Sequence, residues 1–276
     1  MTAPLVSVVV PSYQQAGYIE ATVESVLGQD GVAFELVVAD HSSSDGTWEI
    51  LQRFAGDPRV RLLRTAPGGG AAANWAAATS AARGSLLKLL PGDDTLRPGT
   101  LARQAGLLQD HPRAVLVAGR RDVVDARGKV VARGRGLQGL RATMTGGEAI
   151  RAAVRSGTNP FGEPGAVMLR KDALVAAGGW AGDWSYAIDV ATYFHVLEHG
   201  DFVRDDDVAS TFRVSAGQWS VALVQSQARE IGRLFTAAAQ RHSSVTSRDV
   251  RLGSRRARLQ ALQRRIFYTV MKGRMG

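Results

Sequence analysis

The chain has no cysteine. Disulfides, thiolate nucleophiles and zinc–thiolate sites are therefore excluded, and the absence fits a reducing compartment. No apolar run reaches the roughly 18 residues that a membrane-spanning helix needs. The opening MTAPLVSVVVPSY holds no lysine or arginine, and Pro11 interrupts its short apolar run, so it does not read as a signal peptide. Phosphate-binding glycine signatures are also missing. Gly68-Gly69-Gly70 lacks both the Lys-Ser/Thr of a P-loop and the GxGxxG fingerprint, and reads as a flexible loop.

Charge is unevenly placed. Of 34 basic and 25 acidic side chains, ten and one fall in residues 241–276, leaving 24 of each sign in the first 240. The net charge of +9 therefore belongs to the tail. An excess there points to an anionic contact rather than to a property of the main domain.

What is present is an alternation of strand and helix signals. Leu5–Val10 is a β-branched run that reads as a buried strand ending at Pro11. Tyr18–Leu27 has helical spacing of Ile19, Val23, Val26 and Leu27. Phe34–Ala39 is a second strand running into the turn and cap residues Asp40–Thr47. Trp48–Phe54 reads as a helix, Val60–Leu63 as a strand, and Ala71–Ala82 as an alanine-rich helix with Asn74 in its first turn. Short connections between alternating elements are the pattern of a parallel α/β sheet.

The stretch around which this pattern is organised is Gly84–Pro98. Leu86–Leu90 reads as a strand covered on both faces, ended by Pro91 and Gly92 and followed by Asp93 and Asp94. Adjacent acids at the carboxyl end of a central strand lie where open α/β sheets bind ligands, and their oxygens suit Mg2+ or Mn2+. A helix over 98–110 and a strand over Ala114–Ala118 follow. Beyond residue 119 an Arg- and Gly-rich stretch with hairpin signals at Ala126-Arg127-Gly128 breaks the alternation. Later expectations are a helix over Gly146–Val154, a strand over Ala166–Leu169 and helices over Lys171–Ala177 and Ile188–Glu198. Phe202–Phe212 gives strand-like pieces, and helices are expected over Trp219–Gln240 and Arg248–Met271.

Four segments together resemble the family 2 glycosyltransferases of GT-A fold: Val6–Tyr13, Phe34–Asp40, Ser43–Thr47 and Gly84–Asp94. A looser likeness continues through Gly162-Glu163-Pro164, Arg170, Gly178-Gly179-Trp180 and Asp189. The resemblance implies a Rossmann-like, mostly parallel sheet flanked by helices. It implies a nucleotide-sugar-binding half (residues 1–125) and an acceptor-binding half (126–215); the resemblance does not cover residues 216–276, which read from their own pattern as C-terminal helices with a basic tail. It implies transfer of a sugar, with inversion, from a nucleotide-diphosphate sugar to a glycan, lipid-linked or other hydroxyl acceptor, with Mg2+ or Mn2+ as cofactor.

Residue by residue, the likeness puts Pro11, Tyr13 and Asp40 around the nucleobase and ribose, with Asn74 on the donor side. Asp93 falls on the last acid of the DxD motif as metal ligand, with Asp94 beside it, because Pro91 replaces the first acid. Asp189 falls on the general base, and Glu163 and Trp180 on the acceptor side. His41-Ser42 replaces the commoner residues after Asp40, which leaves a catalytically weak nucleotide-sugar-binding protein as the alternative. No Gln-x-x-Arg-Trp stretch is present, which speaks against a processive polysaccharide synthase. The expected setting is cytoplasmic, in cell-envelope polysaccharide biosynthesis.

Two signals remain. His195-Val196-Leu197-Glu198-His199 matches the HxxEH pattern of inverted zinc peptidases, with Glu230 the sole glutamate downstream. It sits where the resemblance expects an ordinary helix, so solvated histidines are the default. In the tail, Arg251, Arg255, Arg256, Arg258, Arg264 and Arg265 alternate with Leu252, Leu259, Leu262, Ile266 and Phe267. Residues 248–276 therefore suit either peripheral contact with an anionic membrane face or packing on the main domain with a solvated basic side. No nucleic-acid module is present, and no nucleic acid is expected as partner.

Overall fold

The structure, a computed structural model, describes residues 5–215 and 227–271. Its first half alternates strand and helix: β1 (Val6–Ser12), α1 (Ile19–Leu27), β2 (Phe34–Asp40), α2 (Thr47–Gln52), β3 (Val60–Arg64), α3 (Gly70–Ser80), β4 (Leu86–Leu89) and α4 (Thr100–Asp110). The second half adds β5 (Ala114–Asp125), β6 (Val130–Arg135), β7 (Thr143–Met144), α5 (Gly146–Ser156), a 3-10 turn at Pro164–Ala166, β8 (Val167–Arg170), α6 (Lys171–Ala176), α7 (Ile188–Val196) and β9 (Asp201–Val214). Two further helices are α8 (Gln227–Arg241) and α9 (Ser247–Met271). The start expected for the first of these, at Trp219, lies outside the described residues.

One sheet joins both halves in the order β3-β2-β1-β4-β8-β5-β9-β7, with β6 paired to β5. β1 runs parallel to β2 and β4, β2 to β3, and β5 to β9, and these ladders carry most of the pairing. β8 is antiparallel to both β4 and β5, which links the halves. The expected α/β class with a mostly parallel sheet is therefore present.

Alternation along the strands builds two apolar layers. Val6, Val8 and Val10 face one layer with Ile19, Val23 and Val26 of α1 and Leu101 and Leu108 of α4. Val9, Val37, Leu87 and Leu89 face the other, with Ala78 of α3, Ile150 of α5, Tyr193 of α7 and Phe235 of α8. Lys88 falls on the α4 side, wholly buried, where Nζ donates to Gln104 Oε1 at 2.7 Å and to the Val167 carbonyl at 3.2 Å.

Three boundaries differ from expectation. Pro11 does not end β1, which runs on to Ser12. In a parallel ladder Pro11 faces the same neighbour as Val9, namely β4, and that ladder stops at Val9 and Leu89, so no partner misses the absent N–H. The strand-like pieces after Phe202 are one strand of 14 residues, held by an extended β5. The charged alternation Arg120-Arg121-Asp122 hid that extension. Finally, α7 stops at Val196, two residues before Glu198.

That last boundary also speaks against the remote zinc-peptidase alternative. His199 lies beyond the helix, so it does not share a helical face with His195. Glu198 is paired with Arg241 at 2.9 Å and lies 3.3 Å from His242. Among the described residues, no group of three or more His, Asp or Glu side chains is placed to hold a metal ion by itself.

α9 packs on α5 and α8 through small residues, not through its leucines. Gly253, Ala257 and Ala261 are turned inward. A Cβ at Gly253 would collide with the Val154 carbonyl of α5, so only glycine allows this approach.

Candidate active site

The carboxyl ends of β1 and β4 open into one cleft of about 1840 Å³. From β1 come Pro11 and Ser12, with Tyr13 following, 57% exposed at the rim. The loops after β1 and β2 are laced together: the backbone N–H of Gln14 donates to Ser43 Oγ at 2.9 Å and that of Ala16 to Asp45 Oδ2 at 2.9 Å. The turn formers read from Asp40 to Thr47 are thus the lacing itself.

Asp40 lies beneath this floor and does not line it; it is fully buried. Its Oδ2 accepts from the Ser43 N–H at 3.1 Å, with Arg64 at 3.9 Å. Among the described residues its Oδ1 has no partner, and neither has Oγ of Ser12, its register neighbour on β1. Buried polar atoms left unsatisfied cost about 1–3 kcal/mol each, so two orphaned oxygens side by side make a place where a ligand's N–H or O–H is welcome. Asn74 lines the cleft but uses its amide internally, donating to the carbonyls of Ala39 at 3.1 Å and Ser12 at 3.4 Å.

After β4, Pro91, Gly92 and Asp93 line the cleft and Asp94 does not. Asp94 turns toward β9, where its Oδ1 accepts the backbone N–H of Arg213 at 2.8 Å. The Arg213 guanidinium donates to the carbonyls of Asp93 at 2.9 Å and Asp125 at 3.0 Å and stacks over Tyr18 at 4.4 Å. Burial pushes the Asp93 carboxyl up to about 6. Burial, then the charge of Asp93, pushes Asp94 well above the usual carboxylate range.

The second half supplies the opposite wall with Asn159, Glu163 and Asp189. Asp189, half-buried in the first turn of α7, accepts from the Asn159 side-chain amide at 2.9 Å and from the Val190 N–H at 2.7 Å. Burial pushes its carboxyl up to about 7 against those bonds, and the charge of Glu163 adds to the rise. Glu163 is paired with Arg121 through both carboxylate oxygens. Near them the hydroxyl of fully buried Tyr193 has no partner among the described residues.

The structure thus brings Pro11, Tyr13, Asn74, Asp93, Glu163 and Asp189 to one cleft, with Asp40 just behind it. Trp180 is not brought there: it packs edge-on against Trp75 at 5.1 Å and its Nε1 donates to Thr79 Oγ1 at 2.8 Å. Trp75 lines the cleft in its stead. Arg121, Asn159 and Arg213 were not foreseen. Asn159 stands in the turn-rich Asn159–Gly165 loop, which was a usable signal; Arg213, more than a hundred residues from Asp93, left none.

This fold has close structural counterparts. S. aureus TarS 1–349 in complex with UDP-GlcNAc superposes with a TM-score of 0.67 at 17% identity, over 85% of this chain and 65% of that one. The mannosyltransferase PcManGT from Pyrobaculum calidifontis, in complex with GDP-Man and Mn2+, gives 0.65 at 20% identity, over 93% and 70%. The fold is that of the GT-A transferases. Residues 7–176 match the model for Glycosyl transferase family 2, and the chain belongs to that family. It is 34% identical over 202 residues to the uncharacterized protein MT1568 of Mycobacterium tuberculosis, covering 70% of this chain and 62% of that protein. It is 35% identical over 117 residues to the putative teichuronic acid biosynthesis glycosyltransferase TuaG of Bacillus subtilis, covering 42% and 46%. The chain spans less than two thirds of the length of these curated relatives. No helix among the described residues is long and apolar enough to cross a membrane.

Proposed function

We propose that the chain moves a sugar from a nucleoside-diphosphate sugar to a hydroxyl of a glycan or lipid-linked acceptor, with inversion at the anomeric carbon. The observation that carries this is the facing pair Asp93 and Asp189, one from each half, lining a single cleft. The donor occupies residues 1–125, with its base against Pro11 and Tyr13 and its N–H groups reaching the orphaned oxygens of Asp40 and Ser12. The acceptor enters from 126–215, where α8 and α9 add Ile231, Arg256 and Leu259 to the wall. Likeness to TuaG, and to the succinoglycan biosynthesis protein ExoO of Rhizobium meliloti at 40% identity over 100 residues, supports a cell-envelope or exported glycan as the product.

Asp189 acts as the base. It takes the proton from the acceptor hydroxyl as that oxygen bonds to the anomeric carbon and the bond to the diphosphate breaks; the nucleoside diphosphate departs with the bonding pair. A base titrating near 7 combines availability with driving force at neutral pH. Asn159 fixes its orientation, and Glu163 with Arg121 shapes the acceptor side.

A divalent cation fits this site in a limited way. At the end of β4 the cleft offers one carboxylate, Asp93, beside a second buried one, Asp94, the chemistry that suits Mg2+ or Mn2+. Asp94 is committed to Arg213, so Asp93 would be the side chain that holds the cation. When bound, a divalent cation there would supply charge neutralisation for the leaving diphosphate. Arg213 holds the Asp93 turn in place for it.

The test is calorimetric titration of UDP, GDP and TDP, with and without Mn2+, on the wild type and Asp93→Ala. Metal-dependent binding of one nucleotide, lost in the variant, is expected; no binding of any would overturn the reading. Tight binding with no turnover on any acceptor would make the chain a nucleotide-sugar-binding protein instead.

A further inference from the structure

The cleft is larger than the groups named so far require, and its far end has a different chemistry. There the wall passes to the β6–β7 loop, α5 and α9, which bring Arg135, Arg141, Arg151, Arg155 and Arg256 to the lining. Around Asp93 and Asp189 the lining is acidic, with Glu163 answered by Arg121 alone. The cleft is thus polarised, acid at the centre and basic at the distal arm.

The distal arginines are only partly neutralised. Arg151 and Arg155, one turn apart on α5, share buried Asp249 at 3.0 and 2.7 Å. Burial alone would raise that carboxyl, but hydrogen bonds from Thr246, Arg155 and Arg151 hold it far below the usual range. Arg141 is paired with Glu148 at 2.7 Å. Among the described residues, the Arg256 guanidinium has a hydrogen bond to the Arg155 carbonyl at 2.8 Å and no carboxylate, and the Arg135 side chain has no hydrogen bond or ion pair. Five guanidinium groups thus meet two carboxylates, Glu148 and Asp249.

α9 explains why the charge is held there. Gly253, Ala257 and Ala261 bring its backbone close to α5 and α8. Arg256, Leu259, Gln260 and Gln263 then face the cleft, at spacings of three and four residues. The outer row, Arg251, Arg255 and Arg258, is exposed and has no ion pair among the described residues. Such a row raises the local concentration of anions at the mouth. Leu259, 57% exposed, sets an apolar contact beside Arg256.

We propose that the distal arm binds the acceptor through an anionic group, a phosphate or a carboxylate, held by Arg135 and Arg256 against the face of α9. The fork of a guanidinium matches both groups, and two such groups without carboxylate partners are suited to gripping one anion. The inference rests on reading the cleft as a donor and acceptor site, and it names the class of acceptor: one that carries acid, whether on a lipid phosphate or on an acidic sugar.

The experiment titrates the full chain with four probes: farnesyl phosphate, farnesol, a tetragalacturonate and a neutral glucan tetrasaccharide. At least one anion is expected to bind, its neutral counterpart not, with affinity falling as salt rises. In Arg135→Gln/Arg256→Gln that anion should bind roughly tenfold more weakly or worse. The lipid phosphate alone names a lipid-linked acceptor; the uronate alone names an acidic glycan. Equal binding of charged and neutral probes, no anion bound, or an unaltered double variant overturns the inference. UDP, GDP and TDP are titrated on the same samples and should bind the double variant as they bind the wild type. If none binds the wild type, the donor reading fails while the anion result still reads the distal arm. Circular dichroism of the double variant checks that it is folded.

Discussion

The backbone N–H of Arg213 donates to Oδ1 of Asp94 at 2.8 Å, and its side chain donates to the Asp93 carbonyl at 2.9 Å. One residue of β9 therefore clamps both residues of the acidic turn after β4. It also ties that turn to the β5–β6 hairpin through the Asp125 carbonyl. The position of the cleft carboxylate is set by a strand from the other half of the sheet.

Arg213→Met keeps the apolar stem over Tyr18 and the backbone bond to Asp94, but removes the side-chain hold on the Asp93 and Asp125 carbonyls and the positive charge beside two buried acids. Removing one partner from a buried charged network costs about 3–5 kcal/mol, because the other is left uncompensated. Urea unfolding should show a loss of about that size, and the remaining folded protein should bind nucleotide more weakly. A change below about 0.5 kcal/mol, as for an ordinary surface site, would show that the clamp is idle.

The orphaned oxygens of Ser12 and Asp40 give effects of opposite sign. Ser12→Ala deletes an unsatisfied buried hydroxyl, so the free protein should be as stable as the wild type or up to about 1 kcal/mol more stable. Nucleotide affinity should fall, by about fivefold or more, if that hydroxyl meets the ligand. Thermal melting with and without nucleotide reads both. A variant that loses stability and keeps its affinity would mean that the hydroxyl serves the fold and not a ligand.

Lys88 predicts a pH-dependent stability. Burial pushes its ammonium down to about 7, against the charge of Asp205, while an unfolded lysine titrates at 10.5. Between these values the unfolded chain holds the extra proton, so stability rises with pH across that window, by at most about 1.4 kcal/mol per unit. Lys88→Met removes this contribution. The stability of the wild type relative to the variant should therefore increase from pH 7 to pH 10, as followed by denaturant midpoints. A constant difference would show that the lysine is not titrating from a buried place.

Much of this was legible in the sequence, and the parts that were not share a cause. Strand–helix alternation up to Asp110 follows from local periodicity, and the loops Asp40–Thr47 and Pro91–Asp94 carry their turn chemistry in the chain itself. β9 was read as fragments because it pairs with β5 along charged residues whose burial is set by neighbours distant in sequence. Arg213 gave no signal for the same reason: its partners lie 119 and 120 residues away. Trp180 was expected on the acceptor side from the resemblance, but its indole is taken up by Trp75 and Thr79. The face of α9 was legible as basic and amphipathic, yet the residues that dock it are glycine and alanines, which hydropathy ranks below the leucines left outside.

Asp189 gives the most direct prediction for the chemistry. Asp189→Asn should lower turnover by about 10²- to 10⁴-fold with nucleotide affinity intact, since the residue serves the acceptor proton and not the donor. In the wild type the rate should fall below pH 7, where a carboxyl raised to about 7 becomes protonated. The same rise affects folding: between 3.8 and about 7 the folded chain binds the extra proton, so this group's contribution to stability declines as pH rises through that window. Glu163→Gln separates environment from identity. It removes one of the charges that raise Asp189 and leaves Arg121 unpaired nearby, so the acid limb of the pH–rate profile should move to lower pH. A limb that stays in place would assign the titration to another group, and a limb absent from both proteins would remove Asp189 from the role of base.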